Sequence, residues 1–294
     1  MIETETPRIL VTGAAGQLGM EFQRIAPQFP EFDFHFASRM DLDVTLESRV
    51  HNYIQSVAPE AVINCAAYTN VERAEDDREN ADLVNGMASR FLASACAESN
   101  ALLVHFSTDY VFDGKKSTPY LETDEVNPLN HYGMSKLQGE REIDGILERH
   151  LILRTSWLYN IYGHNFYKTM MRLAKEHGKL RVVSDQKASP TFAGSLAMDV
   201  MRILQRSIIK REHLEYGLYH YSEDGEASWF EFAEAIVKQH GMDIPVHPVT
   251  TQEYPTRAVR PVYSKLNNDL FKSVFNLPHR TWQQGLQQCI ESEY

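Results

Sequence analysis

The stretch RILVTGAAGQLG, residues 8–19, runs an apolar strand directly into glycines at positions 13, 16 and 19 and then into a helical pattern. Each glycine has a physical job at that junction. Gly13 permits the tight turn, Gly16 lets backbone amides approach a pyrophosphate, and Gly19 allows helix and strand to pack closely. The helix N-terminus attracts the anion. A glycine motif alone is a weak signal; at the end of a first strand, in a chain of alternating strands and helices, it points to a dinucleotide.

That alternation continues outward from the loop. Apolar runs of strand length lie at 8–12, 32–37, 61–67, 101–107 and 151–156. Between them, residues 17–26, 46–57, 78–98 and 134–149 carry apolar positions at three- and four-residue spacing, as crossover helices do. The expected fold is α/β, a Rossmann-type doubly wound parallel sheet with a smaller C-terminal substrate-binding domain. Residues 1–157 form the expected dinucleotide-binding domain, with returning segments around 191–240; residues 158–190 and 241–294 form the substrate-binding part. Beyond residue 157 the pattern predicts helices at 164–176, 229–240 and 281–292 and strands near 180–184 and 217–221. SPTF (189–192) and YPTRAVRPVYSKL (254–266) read as irregular segments able to form a lid or pocket.

Composition narrows the function. The 294 residues carry a net charge of −11, with 43% hydrophobic and 23% charged residues. This balance argues against a nucleic-acid or anionic-membrane binder and leaves small anionic ligands open. No stretch approaches the roughly 18 apolar residues of a membrane helix, and MIETETPR lacks the basic, apolar start of a leader, so a cytoplasmic protein is expected. Cys65, Cys96 and Cys289 are odd in number and set in apolar surroundings, which reads as reduced core thiols. With no HExxH and no zinc-spaced Cys/His cluster, no metal is assigned.

In such sheets ligands bind beyond the carboxyl ends of the strands, which brings segments 12–19, 38–44, 65–70 and 107–114 around one crevice. The second strand ends in ASRMDLDV, where an NAD-binding fold commonly offers a carboxylate. Ser38 and Arg39 stand there instead and suit a 2′-phosphate, so NADPH is expected, with NADH possible through Asp41 or Asp43. Asp43 can alternatively cap the following turn. The cofactor set is Gly13, Gly16, Gln17, Leu18, Gly19, Ser38, Arg39, Asp43, Val44, Cys65, Ala66 and Ala67, joined by Tyr132 and Lys136. Small residues at 65–67 admit a ribose near the backbone, although packing also favours them there.

HYGMSK (131–136) sets Tyr132 one helical turn before Lys136. Alone this is an expected coincidence in a chain with 14 tyrosines. Beside a dinucleotide it gains a purpose. A phenol titrates near 10, and a lysine one turn away lowers that value and reaches the nicotinamide ribose. Thr108, in STDYVFDG, can donate a hydrogen bond to a carbonyl; its ordinary alternative is to stabilise a turn.

The blocks VTGAAGQLG, VINCAAYTNVERAE, HFSTDYVFDG, NPLNHYGMSKLQGE, LRTSWLY, SPT and RPVYSKL, in that order over nearly the whole chain, resemble the dTDP-4-dehydrorhamnose reductase family of extended short-chain dehydrogenase/reductases. The resemblance implies Thr108, Tyr132 and Lys136 as the catalytic trio, and Asp109 and Trp157, with Tyr110 beside them, as sugar contacts. Trp157 has core packing as its ordinary alternative. The implied reaction is hydride transfer from NAD(P)H to the C4 ketone of dTDP-4-dehydro-L-rhamnose, by a monomer or a homodimer. Some members use glutamates around a magnesium ion at a dimer contact. Glu21 matches the first, and Gly194 stands where another is expected. Two other readings stay open: a nucleotide-sugar epimerase or dehydratase, and a non-catalytic regulatory relative. Tyr110, in place of a second acid after Asp109, disfavours a dehydratase, and the intact trio disfavours a non-catalytic role.

Overall fold

The computed structural model describes residues 6–293; residues 1–5, which hold most of the N-terminal stretch read above, and Tyr294 lie outside the described residues. Six strands form one all-parallel sheet: β1 (Arg8–Thr12), β2 (Asp33–Ala37), β3 (Ala61–Asn64), β4 (Leu102–Thr108), β5 (His150–Thr155) and β6 (Gly217–Tyr221). Their spatial order is 2-1-3-4-5-6. The winding reverses between β1 and β3, and a crevice opens at such a switch point beyond the strand ends. The central strands β3, β4 and β5 are buried along their whole length, as a sheet covered on both faces requires.

One core lies on the face where the helix Gln17–Ile25 packs with the helix Ala193–Leu204, through Phe22, Ile25, Leu196 and Val200. The other holds the helices Glu47–Val57 and Ala88–Ser99. A third cluster, away from the sheet, joins Tyr159, Tyr167, Phe232, Trp282 and Leu286. The helix Trp229–Gln239 belongs to this third cluster, whereas Phe271 and Phe275 return to the first.

Three segments differ from expectation. Residues 78–98 are not one regular helix: a π-helical stretch, Asp82–Met87, interrupts them. It turns Asn85 so that its amide accepts from Tyr68 N and donates to Ser135 on the helix His131–Asp144. SPTF is no lid. All four residues are buried, Thr191–Phe192 pair with Leu158–Tyr159, and Ser189 exchanges bonds with Ser156 and Gly225, so this backbone is satisfied inside the molecule. The helix Ala193–Leu204 was not anticipated, although its apolar positions recur at helical spacing.

Candidate active site

The glycine loop is built as its spacing demands. Gly13 has φ +62, and a side chain there would sit 2.5 Å from Ala66 N, so the ends of β1 and β3 touch backbone to backbone. Gly16 precedes the helix Gln17–Ile25 and offers no side-chain cap, which leaves the first-turn N–H groups available to an anion. Leu18 is buried in the core and also lines the crevice. Gln17 reaches across the molecule instead: its amide donates to Leu158 O at 3.2 Å and accepts from Asn165 at 3.1 Å.

At the end of β2 the acids are occupied locally. Asp41 accepts from Ser38 N and Oγ at 2.9 and 2.6 Å, bonds that hold it below the usual carboxylate range. Asp43 caps Thr45 through N and Oγ1, the turn-capping role foreseen as its alternative. Arg39 is 81% exposed and loosely paired with Asp43 at 3.7 Å, so its guanidinium is available to a phosphate. Ser38, Arg39, Asp43 and Val44 sit at the far side of the loop from Thr108, outside the walls of the main cavity.

That cavity, about 1410 Å³, runs from Gly16, Gln17 and Leu18 past Cys65 and Ala67 to Thr108, Asp109, Tyr110, Tyr132, Lys136 and Trp157. Its walls also carry Arg73, Arg181, Arg257 and Arg260. Cys65 is a free thiol held protonated by burial.

Thr108 ends β4 and caps the turn Asp109–Val111 by accepting from Tyr110 N at 3.1 Å, so its turn-stabilising role is real. Its hydroxyl also donates to Asp109, 3.2 Å away. Asp109 is buried, takes a second bond from Ser264, and has its carboxyl pushed up to about 7 by burial. Asn130 caps the helix His131–Asp144 by accepting from Gly133 N at 2.8 Å and donates to Val259 O, tying the 254–266 segment to the helix start. Gly133 is required for contact: a Cβ there would meet Tyr110 O at 2.2 Å. The Tyr132 ring meets Tyr110 edge to face, with centroids 6.1 Å apart.

Electrostatics of the protein groups differ from the expectation for the YxxxK pair. Lys136 Nζ is hydrogen-bonded to His105 Nε2 at 3.2 Å, and the phenol of Tyr132 is pushed up to about 12 by burial, against the opposing hydrogen bond of Thr108. Burial likewise brings Lys136 down to about 8, against the Glu140 charge. Glu140 is itself clamped by Arg154 at 2.9 and 2.7 Å.

Trp157 is neither plain core nor freely exposed. It holds φ +46, a costly conformation for a bulky residue, and stacks face to face on Trp229 at 3.4 Å in the cavity wall. His105, Asn64, Gly133 and Arg260 were missed by sequence reasoning. All four lie in the blocks quoted above, Asn64 in VINCAAYTNVERAE, His105 in HFSTDYVFDG, Gly133 in NPLNHYGMSKLQGE and Arg260 in RPVYSKL, but no role was read for them.

The magnesium site does not fit this chain. Glu21 is fully buried, with Oε1 held by Arg24 at 3.0 and 2.5 Å and Oε2 by Asn160 at 3.0 Å. Gly194 brings no carboxylate, and a side chain there would run into the Phe192 ring at 2.4 Å. Among the described residues no group of three or more His, Cys, Asp or Glu side chains is placed to hold a metal ion.

A parallel sheet with an uncapped glycine turn at its switch point, and a tyrosine–lysine helix across the same cavity, defines an NAD(P)-dependent oxidoreductase of the extended short-chain dehydrogenase/reductase class. Comparison then narrows the class. The chain belongs to the dTDP-4-dehydrorhamnose reductase family: the model of the RmlD substrate binding domain matches residues 7–294. The dTDP-4-dehydrorhamnose reductase of Aggregatibacter actinomycetemcomitans is 39% identical over 285 residues, 95% of this chain and 97% of the relative. That of Escherichia coli is 38% identical, with 96% of each chain covered. The crystal structure of dTDP-4-dehydrorhamnose reductase from Bacillus anthracis in complex with NADP superposes with a TM-score of 0.92 at 38% identity, covering 98% of this chain and 99% of that one.

Proposed function

We propose that this protein reduces the C4 ketone of dTDP-4-dehydro-L-rhamnose to dTDP-L-rhamnose with NADPH. One observation carries the reading: a single cavity joins the glycine loop, the Thr108, Tyr132 and Lys136 cluster and four arginines. The arginines suit a nucleoside diphosphate, and Arg257 and Arg260 are paired with Asp76 and Glu72. In this reading Gly13, Gly16 and Gly19 with Cys65, Ala66 and Ala67 receive the dinucleotide, and Arg39 its 2′-phosphate. Residues 158–190 and 241–294, with the helix Trp229–Gln239, hold the sugar nucleotide.

Bound NADPH supplies the hydride for the ketone carbon. Thr108 polarises the carbonyl, Tyr132 gives its phenolic proton to the oxygen, and a charged Lys136 stabilises the phenolate left behind. Asp109, Tyr110 and Trp157 shape the sugar site; the strained Trp157, braced on Trp229, offers one ring face to the cavity. Cytoplasmic location, where NADPH and sugar nucleotides are supplied, and action as a monomer or homodimer belong to this proposal. No described helix is long and apolar enough to cross a membrane. The test is NADPH oxidation with dTDP-4-dehydro-L-rhamnose as acceptor, followed by product analysis. Tightly held, non-exchanging NAD without net reduction would indicate an epimerase instead, and no turnover at all a regulatory relative.

A further inference from the structure

Below the catalytic lysine lies a row of side chains that the reaction does not use. Thr12, Asn64 and His105 are register partners on the adjacent strands β1, β3 and β4, and the row ends at Lys136. Thr12 Oγ1 donates to Asn64 Oδ1 at 2.7 Å, Asn64 Nδ2 lies 3.0 Å from His105 Nδ1, and His105 Nε2 lies 3.2 Å from Lys136 Nζ. All four residues are almost fully buried, so each donor must meet an acceptor within the row.

The direction of these bonds follows from one fixed donor. Ala66 N can only donate, and it faces Asn64 Oδ1 at 3.2 Å, so the oxygen end of that amide is settled. The amide NH2 therefore points at His105 Nδ1, which must accept. A neutral imidazole accepting at Nδ1 carries its proton on Nε2. That proton points at Lys136 Nζ, which can accept it only as an amine.

We infer that His105, fixed in one tautomer by Asn64, is a positioning residue that favours the neutral amine of Lys136 in the cofactor-free enzyme at mildly alkaline pH, and that Lys136 takes up a proton when NADPH binds. The second half rests on the NADPH reading above: an ammonium has three donors to satisfy, and the ribose hydroxyls of a bound dinucleotide place fixed acceptors beside Nζ. Burial acts in the same sense, lowering Lys136 and holding His105 well below the ordinary imidazole range. The other charges around Lys136 do not force an ammonium. Glu140, one turn along, is neutralised by Arg154 of β5 and bonded by Ser107. Tyr132, one turn back, and Asp109, at the end of β4, are both shifted toward their protonated forms by burial. Asp82, on the π-helical stretch, is paired with His131, and Glu75 accepts from His131 N. The buried face of the helix Ala88–Ser99 carries only uncharged residues.

The full-length chain labelled with 15N at histidine and lysine tests this without any sugar. In the cofactor-free protein His105 should be the Nε2–H tautomer, and Lys136 should titrate well below an ordinary lysine. Calorimetry in buffers of different ionisation enthalpy at about pH 9 should show a proton taken up with NADPH. Asn64→Asp reverses the row: its carboxylate accepts from Nδ1–H and leaves Nε2 to accept from an ammonium. Lys136 should then titrate at least about one unit higher, a tenfold gain in proton affinity, and the uptake should vanish. His105→Gln, which keeps an acceptor toward Asn64 and a donor toward Lys136, should behave as the native chain does. An Nδ1–H tautomer in the native protein, or an unchanged Lys136 titration in Asn64→Asp, overturns the inference. If Asn64→Asp fails to fold, the native tautomer and titration decide alone. Failure to bind NADPH would show as absent binding heat and would count against the functional reading, leaving the tautomer result to stand by itself.

Discussion

Replacing Gly133 with alanine sets local preference against tertiary contact. Alanine is the better helix former by about 1 kcal/mol, so a helix considered alone would gain stability. The contacts point the other way. A Cβ at position 133 would lie 2.2 Å from Tyr110 O and 3.0 Å from Pro128 Cβ. The first distance is roughly 1 Å short of a close C···O approach of about 3.3 Å. Relief requires the start of the helix His131–Asp144 to move by about that amount away from the turn Asp109–Val111. Tyr132 rides on the first element, and Thr108 and Asp109 are fixed by the second. A misplacement of about 1 Å between reacting groups costs on the order of a hundredfold. Gly133→Ala should therefore lower kcat by about that factor and lower the melting temperature, while NADPH affinity, set mainly at the glycine loop, changes only a few-fold. Stopped-flow NADPH oxidation, fluorescence titration of NADPH and a thermal melt measure the three quantities. A folded variant with near-native kcat and a higher melting temperature would refute the steric argument.

Four further substitutions or treatments separate the parts of the site. Tyr132→Phe should keep NADPH binding and lose roughly a hundredfold or more in turnover, the scale of general acid catalysis; near-native turnover would remove tyrosine as proton donor. Arg39→Ala should weaken NADPH by about ten- to a hundredfold and leave NADH nearly unchanged, and equal losses for both would make Arg39 an ordinary surface arginine. A chelator should leave activity and oligomeric state intact, since Arg24 and Asn160 already satisfy Glu21; loss of both, restored by magnesium, would contradict this. Burial raises Asp109 to about 7 when folded, so the folded state binds the extra proton and this residue's contribution to stability declines as pH rises from about 4 through 7. Asp109→Asn should flatten that part of the stability–pH curve, measured by urea unfolding.

The sheet was legible because its strands are short apolar runs punctuated by longer amphipathic segments: RILVT matches β1 residue for residue, and the strand foreseen at 217–221 is β6. The glycine loop was legible because backbone geometry there admits few residue types. The helix Ala193–Leu204 was not read, although its apolar positions recur at helical spacing. His105 illustrates a limit. In the run ALLVHFS it reads as a polar residue in a core strand, and only the register, Thr12 beside Asn64 beside His105, turns it into part of the site. Register belongs to the paired sheet and leaves no trace in a single strand.

The same limit explains how the two halves of the cavity are set against each other. Gln17 opens the helix after the glycine loop, and its side chain is held by Leu158 O and Asn165, while Asn160 donates to its backbone carbonyl at 3.2 Å. Gly163, at φ +69, packs against Gln17 Cβ, where a side chain would come within 2.8 Å. The segment that begins at the strained, stacked Trp157 is thus bonded to the glycine loop, proposed above to receive the pyrophosphate, some 140 residues earlier in the chain. A hydride donor on one side and a ketone on the other must approach to near contact for transfer, and a fixed frame removes that search from the reaction. Direct bonds between loop and wall provide the frame here. The strain at Trp157 is tolerated because residues on both sides of it are anchored: Ser156 to Ser189, and Leu158 to both Gln17 and Thr191.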